Sequence, residues 1–382
     1  GPASRAGLGL VGARRFAAGP SFPAALRAPT VTSAIAVVSV ALAVCGLGAA
    51  VRASAHAAQV QALATASVSS TGERGLLPAI PPHPARASSV PAATAPPAAP
   101  PPTSAPPPAA SPPPAGPMPV AQTSLPLVDV SRLARGGPRV LTTSVWYPVG
   151  SAGPYPLIVF AHGFNVTPAG YAALLQSWAR AGYVVAAPTF PLTNSGTPGG
   201  PDERDVVNQP GDIRFVIDQL LAANGKPGPL AGLIDPNKIG VAGHSDGGIT
   251  AAAVAYNTCC RDPRISAAVV MAGAEIGVPG GSYFPAGTAP MLAIQGDADH
   301  SNNPQNSRQL YNDDGAGPKY LLDLPGASHE GPFMQSDPAA DVVQRATVDF
   351  FGRYLKAGTA SPLVHDGSVP GIASILAPLG QS

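Results

Sequence analysis

From Arg139 onward, short apolar runs rich in β-branched residues alternate with stretches whose apolar positions recur at helical spacing. The runs Val140–Tyr147, Leu157–Ala161, Tyr183–Ala187, Ile239–Ala242, Ile265–Met271, Met291–Gln295 and Tyr320–Leu324 read as strands. Several are continuously apolar, as strands covered on both faces are. Between them, Pro168–Ala181, Asp212–Ala223, Gly247–Tyr256, Pro304–Asp313 and Pro338–Lys356 read as helices. The last has Asp337 as N-cap, Pro338 at the first helical position and an apolar stripe through Val342, Ala346, Phe350 and Tyr354. This alternation predicts an α/β fold, a mostly parallel central sheet with helices on both faces.

Upstream the pattern changes. Residues 31–51 form an uncharged, mostly apolar run, which as a helix would be about 31 Å long, the thickness of a bilayer core. Arg5, Arg14, Arg15 and Arg27 precede it, and positive flanks stay inside, so the segments that follow are expected outside the cytoplasm. Ala53-Ser54-Ala55 then offers a small-x-small cleavage pattern. The run reads as a signal peptide or a retained signal-anchor, which makes the protein secreted or membrane-anchored. Other export signals fit badly: Phe16 directly follows Arg14-Arg15, and Val44 stands where a lipobox before Cys45 needs a small residue.

Composition sets the domain limits. Of the 48 prolines, 18 fall between Pro78 and Pro119, among Ala, Ser and Thr and without an aromatic residue. Such a stretch buries too little apolar surface to offset the entropy of ordering it. The chain therefore divides into an N-terminal region 1–57, a disordered Pro/Ala-rich linker 58–124, a catalytic domain 125–356 and a C-terminal tail 357–382. In polyproline II form the proline-rich run would reach about 130 Å, the length of a spacer. A net charge of +1 with scattered charges leaves no basic footprint for nucleic acid. Nothing in the pattern sets an oligomeric state. The adjacent Cys259 and Cys260 read equally as two thiols near a helix end or as a vicinal disulfide.

The chemistry sits at strand ends, where ligands bind in such sheets. The strand Ile239–Ala242 runs into Gly243-His244-Ser245-Asp246-Gly247, which opens a helix. In a chain with 43 glycines the bare G-x-S-x-G pattern is weak, but the strand-turn-helix context is what a nucleophile elbow requires. A serine hydroxyl needs a base, and the base needs a group that fixes its tautomer. Asp297, Asp299 and His329 follow later strands in the order serine, acid, histidine. Asp299 is preferred as the acid, with Asp297 as a turn-stabilising residue and the competing choice. His300 reads as a loop histidine, and a metal site at Asp297, Asp299 and His300 lacks further ligands. For the oxyanion, the backbone N–H groups of Asp246 and of Phe164, in the loop His162-Gly163-Phe164-Asn165, are the expected donors. His162 reads as a structural residue of that loop.

Together, Ser144-Val145-Trp146-Tyr147-Pro148, Phe160-Ala161-His162-Gly163-Phe164, the run Ala181-Gly182-Tyr183-Val184-Val185-Ala186-Ala187-Pro188, Gln209-Pro210-Gly211-Asp212-Ile213 and Gly243-His244-Ser245-Asp246-Gly247-Gly248 carry a resemblance. The chain resembles the bacterial dienelactone-hydrolase-like branch of the α/β-hydrolases, which is similar to platelet-activating-factor acetylhydrolases, chlorophyllases and polyester hydrolases or cutinases. The resemblance implies a cofactor-free serine ester hydrolase with Ser245, Asp299 and His329 as triad and Phe164 and Asp246 as oxyanion donors. Dienelactone hydrolases proper use cysteine where this chain has Ser245, so lactone chemistry is not implied.

Few residues separate the strand ending at Met271 from the next, so no large cap domain is expected and the site should be open. Phe190, Tyr283 and Phe284 are candidates to line it. Asp246 and Glu275 near the mouth favour neutral esters over anionic ones, and an open site outside the cell suits bulky or lipid-like esters. An amidase or peptidase on the same triad, and a catalytically silent tethered binding module, are the other readings of the scaffold.

Overall fold

The structure is a computed structural model and describes residues 116–150, 153–276, 280–315, 317–356 and 362–377. The apolar run 31–51 and the linker up to residue 115 lie outside the described residues. Among the described residues no helix is long and apolar enough to cross a membrane.

Nine strands form one sheet: β1 (Val120–Ala134), β2 (Gly137–Pro148), β3 (Tyr155–Ala161), β4 (Val184–Pro188), β5 (Ile234–His244), β6 (Ile265–Met271), β7 (Met291–Gly296), β8 (Lys319–Leu324) and β9 (Ser374–Leu376). Their spatial order is β1-β2-β4-β3-β5-β6-β7-β8-β9. Strands β3 to β8 run parallel; β1, β2 and β9 pair antiparallel. The chain leaves β3 toward β4 on one side and returns to β5 on the other. The crevice beyond the carboxyl ends of β3 and β5 is therefore the switch point at which ligands bind in open parallel sheets.

Burial follows the two-residue strand period onto both faces. Ile158 and Phe160 of β3 join Leu174 and Trp178 of α1 (Ala172–Arg180) and Phe350 and Phe351 of the long helix Ala340–Leu355 in one core layer. Leu157, Val159 and Ala161 face the opposite layer, with Ile213, Val216 and Leu220 of α2 (Gln209–Asn224) and Ala251 and Val254 of α3 (Asp246–Tyr256). This double coverage is why the central strands are apolar without alternation.

The sheet is wider than the sequence pattern predicted. The domain begins at Val120 rather than 125, because β1 is an edge strand that alternates half-buried and exposed positions and tolerates Pro126. Its start is masked in sequence by the proline-rich run it emerges from. The stretch expected to be a tail holds the short helix Leu363–Asp366 and β9. The expected helix Pro338–Lys356 begins two residues later, at Ala340. Asp337 instead closes the preceding turn, accepting the N–H of Ala339 at 2.8 Å.

Cys259 and Cys260 are joined in a vicinal disulfide. The turn they form follows α3, and Asn257 Oδ1 accepts the N–H of Cys259 at 3.0 Å. Thr258 and Ser282 bond across it, fastening the connection between β6 and β7. Among the described residues that connection contains no helix, and no cap domain covers the sheet end.

Candidate active site

The elbow is built by exclusion of side chains. Ser245 has φ 58° and ψ −121°, a backbone state that costs energy and persists only where surrounding structure enforces it. A Cβ at Gly243 would collide with the carbonyl of Gly247, and one at Gly247 with the carbonyl of Ala161. The Ser245 N–H donates to the carbonyl of Met271 at 3.0 Å, pinning the turn to the end of β6. Directly after it, Asp246 opens α3, so its N–H lies at the positive end of a helix.

Phe164, the residue expected to supply the second oxyanion donor, sits in the loop after β3. The next residue, Asn165, has φ 58°, and its N–H is held by the carbonyl of Thr193 at 2.7 Å. Thr193 is held in turn by fully buried Gln209, whose Nε2 donates to Thr193 Oγ1 at 2.9 Å while its Oε1 accepts from Thr250 Oγ1 at 2.5 Å. The oxyanion loop and the nucleophile helix are thus joined through one amide. His162 is structural: Nδ1 lies 2.8 Å from the carbonyl of Gly163, and Nε2 accepts the N–H of Phe190 at 3.0 Å. Burial pushes its pKa down to about 4, so the ring stays neutral and can accept that bond.

Of the two competing acids, Asp299 meets the histidine. His329 Nδ1 lies 2.7 Å from Asp299 Oδ2. Oδ2 also accepts from Gln295 Nε2 at 3.0 Å, and Oδ1 accepts the N–H groups of Ser301 and Asn302, each at 2.8 Å. Burial alone would raise this carboxyl; the hydrogen bonds from His329, Asn302 and Gln295 outweigh it and hold the group below the ordinary carboxylate range. Asp297 faces elsewhere and accepts the N–H of Gly326 at 2.6 Å, bracing the loop that leads to His329. His300 is exposed. Among the described residues no group of three or more His, Cys, Asp or Glu is placed to hold a metal ion.

The ring of His329 lies 4.6 Å from that of His244, the residue before Ser245, tilted 43° to it. Asp299, His329 and the turn at Ser245 are therefore brought together from the ends of β7, β8 and β5. Residues 120–276 match the family model for chlorophyllase, an esterase-type α/β-hydrolase family. The fold is that of the α/β-hydrolases. The matched segment contains Phe164, Ser245 and Asp246 and ends before Asp299 and His329. A search of curated proteins finds no significant match.

The three candidate lining residues are corrected. Phe190 is fully buried with its ring 4.9 Å from that of His162, so it braces the oxyanion loop from behind. Tyr283 and Phe284 lie at the far end of α3, where Tyr283 bridges Asn257 and Phe284 packs on Tyr256. Eleven residues at a rise of about 1.5 Å put that end roughly 17 Å from the elbow. The β6–β7 connection must descend the helix to reach the start of β7, and these aromatics fall near the bottom of that descent. Near the elbow, Ile249 packs in a small buried cluster with Val206, Ala274 and Ile276, while Val166 and Met334 are half-buried against the main core layer.

The two carboxylates expected at the mouth differ in burial. Asp246 is buried at the start of α3. Glu275 Oε1 has no hydrogen-bond partner within the protein, and burial together with nearby Asp313 pushes its pKa up to about 7. Because the folded value exceeds the ordinary 4.5, the folded state holds this proton more tightly than the unfolded chain. Its destabilising contribution is absent at low pH, sets in above about 4.5 and is complete above about 7. Glu275→Gln should therefore raise stability at pH 8 by up to about 3 kcal/mol and leave it unchanged at pH 4, as thermal melts at the two pH values would show.

Proposed function

We propose that the protein is an exported serine carboxylic ester hydrolase acting through an acyl-enzyme on neutral esters. The observation that carries this reading is the 2.7 Å contact between His329 Nδ1 and Asp299 Oδ2, beside an elbow that presents Ser245. With Nδ1–H committed to Asp299, Nε2 is the basic nitrogen. In this scheme Ser245 Oγ attacks the ester carbonyl carbon while its proton passes to His329 Nε2. The N–H groups of Phe164 and Asp246 stabilise the oxyanion. Collapse expels the alcohol, which takes the proton from His329. Water then attacks the acyl carbon, giving its proton to His329, and the acid leaves as the proton returns to Ser245.

Neutral, bulky or lipid-like substrates are favoured by the half-buried Val166, two residues past Phe164, and by the lack, among the described residues, of a cap over the sheet end, rather than by repulsion from buried Asp246. Export is supported by the apolar run 31–51 with its arginine flank and by the disulfide, a bond that persists in oxidising compartments. Whether that run is cleaved or kept as an anchor decides between a secreted and a tethered enzyme. A fluorophosphonate probe should label the wild type and leave Ser245→Ala unlabelled. A folded wild type that neither takes the label nor hydrolyses a panel of p-nitrophenyl esters would overturn the proposal.

A further inference from the structure

A hydrogen-bonded chain behind the site runs through two side chains, Tyr171 and His244, that have no role in the scheme above. The N–H of Gly163, one residue before Phe164, donates to Tyr171 Oη at 3.2 Å. Tyr171 Oη lies 2.8 Å from His244 Nδ1, and His244 Nε2 lies 2.8 Å from the backbone carbonyl of His329. A carbonyl can only accept, so Nε2 carries a proton. Burial, reinforced by the adjacent His329, pushes the His244 pKa down to about 3. At neutral pH the ring therefore has one proton, and Nδ1 is a lone pair. Tyr171 must then donate to Nδ1, which leaves its oxygen to accept from Gly163. Each donor assignment forces the next, and the chain runs in one direction.

We propose that Tyr171 and His244 are positioning residues for acyl transfer, setting the oxyanion loop, the elbow and the backbone of the catalytic base in one register. This rests on the ester-hydrolase reading. The chain runs from the residue before the proposed oxyanion donor, through the residue before the proposed nucleophile, to the backbone of the proposed base. Tyr171 and His244 together link all three points. Neutrality is part of the device. A cation at His244, its ring 4.6 Å from that of His329, would oppose the imidazolium that forms during transfer. It would also place a second donor against Tyr171 Oη and leave the hydroxyl proton without its acceptor.

Tyr171→Phe separates this role from packing, because the ring contacts with Phe160 at 4.7 Å and His244 at 5.6 Å survive removal of one oxygen. With p-nitrophenyl butyrate, kcat is expected to fall about tenfold to a hundredfold, a part of what loss of a whole oxyanion donor costs. KM should stay within about twofold, and fluorophosphonate labelling should slow in parallel. A folded variant with wild-type kcat, or one whose loss lies in KM alone, would overturn the proposal. Nitrogen-15 NMR of wild-type His244 gives a second test that needs no variant. A neutral Nε2–H tautomer at pH 7 is expected, and an Nδ1–H tautomer or a charged ring refutes the chain. If the wild type hydrolyses no ester, the parent reading fails while the tautomer result still decides whether the chain exists.

Discussion

Asp299→Asn is expected to lower kcat about 10⁴-fold, whereas Asp297→Asn should cost less than about tenfold. The difference follows from what each oxygen faces. Asp299 Oδ1 accepts two backbone N–H groups, so an asparagine there keeps its oxygen at Oδ1 and turns its NH₂ toward His329. A donor opposite Nδ1 drives the histidine into the tautomer protonated at Nε2, the nitrogen that should take the serine proton. The same NH₂ would also face the donor of Gln295. Asp297→Asn keeps an oxygen that can still accept from Gly326 and disturbs only a loop brace. Steady-state kinetics on the two variants, with circular dichroism to verify folding, check the ordering. Equal losses, or the greater loss at Asp297, would reverse the assignment of the acid.

Arg139→Ala is expected to destabilise the domain by about 3–5 kcal/mol. Its side chain is only 1 % exposed and meets two carboxylates. Nη1 and Nη2 reach Asp205 at 2.9 and 2.7 Å, while Nε and Nη2 reach Asp212 at 2.8 and 2.6 Å. Removing the guanidinium leaves two buried carboxylates facing each other; Arg132, 2.7 Å from Asp212, is the remaining cation. Lysine cannot reproduce the planar fork, so Arg139→Lys should lose much of the same stability. Urea unfolding gives the number, and a loss under about 1 kcal/mol would show that the cluster relaxes into solvent. Activity should fall as well. Asp205 and Asp212 flank Gln209, and through Gln209 and Thr193 they hold the turn at Asn165, next to Phe164.

The central strands were legible because burial on both faces leaves an uninterrupted apolar run, and the elbow because glycines at 243 and 247 are sterically obligatory. Chain order at strand ends pointed to His329 and to either Asp297 or Asp299, and the contact of Asp299 with His329 separates the two acids. Three kinds of feature were not legible. Edge strands β1 and β9 bury little and carry no strong period. Substrate-lining residues depend on the path of an irregular connection, so Tyr283 and Phe284 had the right chemistry at the wrong height. Supporting residues such as Tyr171, Gln209, Gln295 and Arg139 act through partners far away in sequence. Only His244, inside the elbow itself, offered a local hint.

The short strand β9 pairs Leu376, Ile375 and Ser374 with Leu321, Leu322 and Asp323 of β8, the strand whose end delivers His329. Without it, β8 would present a row of unpaired N–H and C=O groups to any other extended chain. His329, the proposed base, is thereby carried on an interior ribbon of the sheet rather than on a sticky margin. The folded unit consequently extends some twenty residues past its last long helix, and those residues act as the selvedge that keeps the weave from joining another.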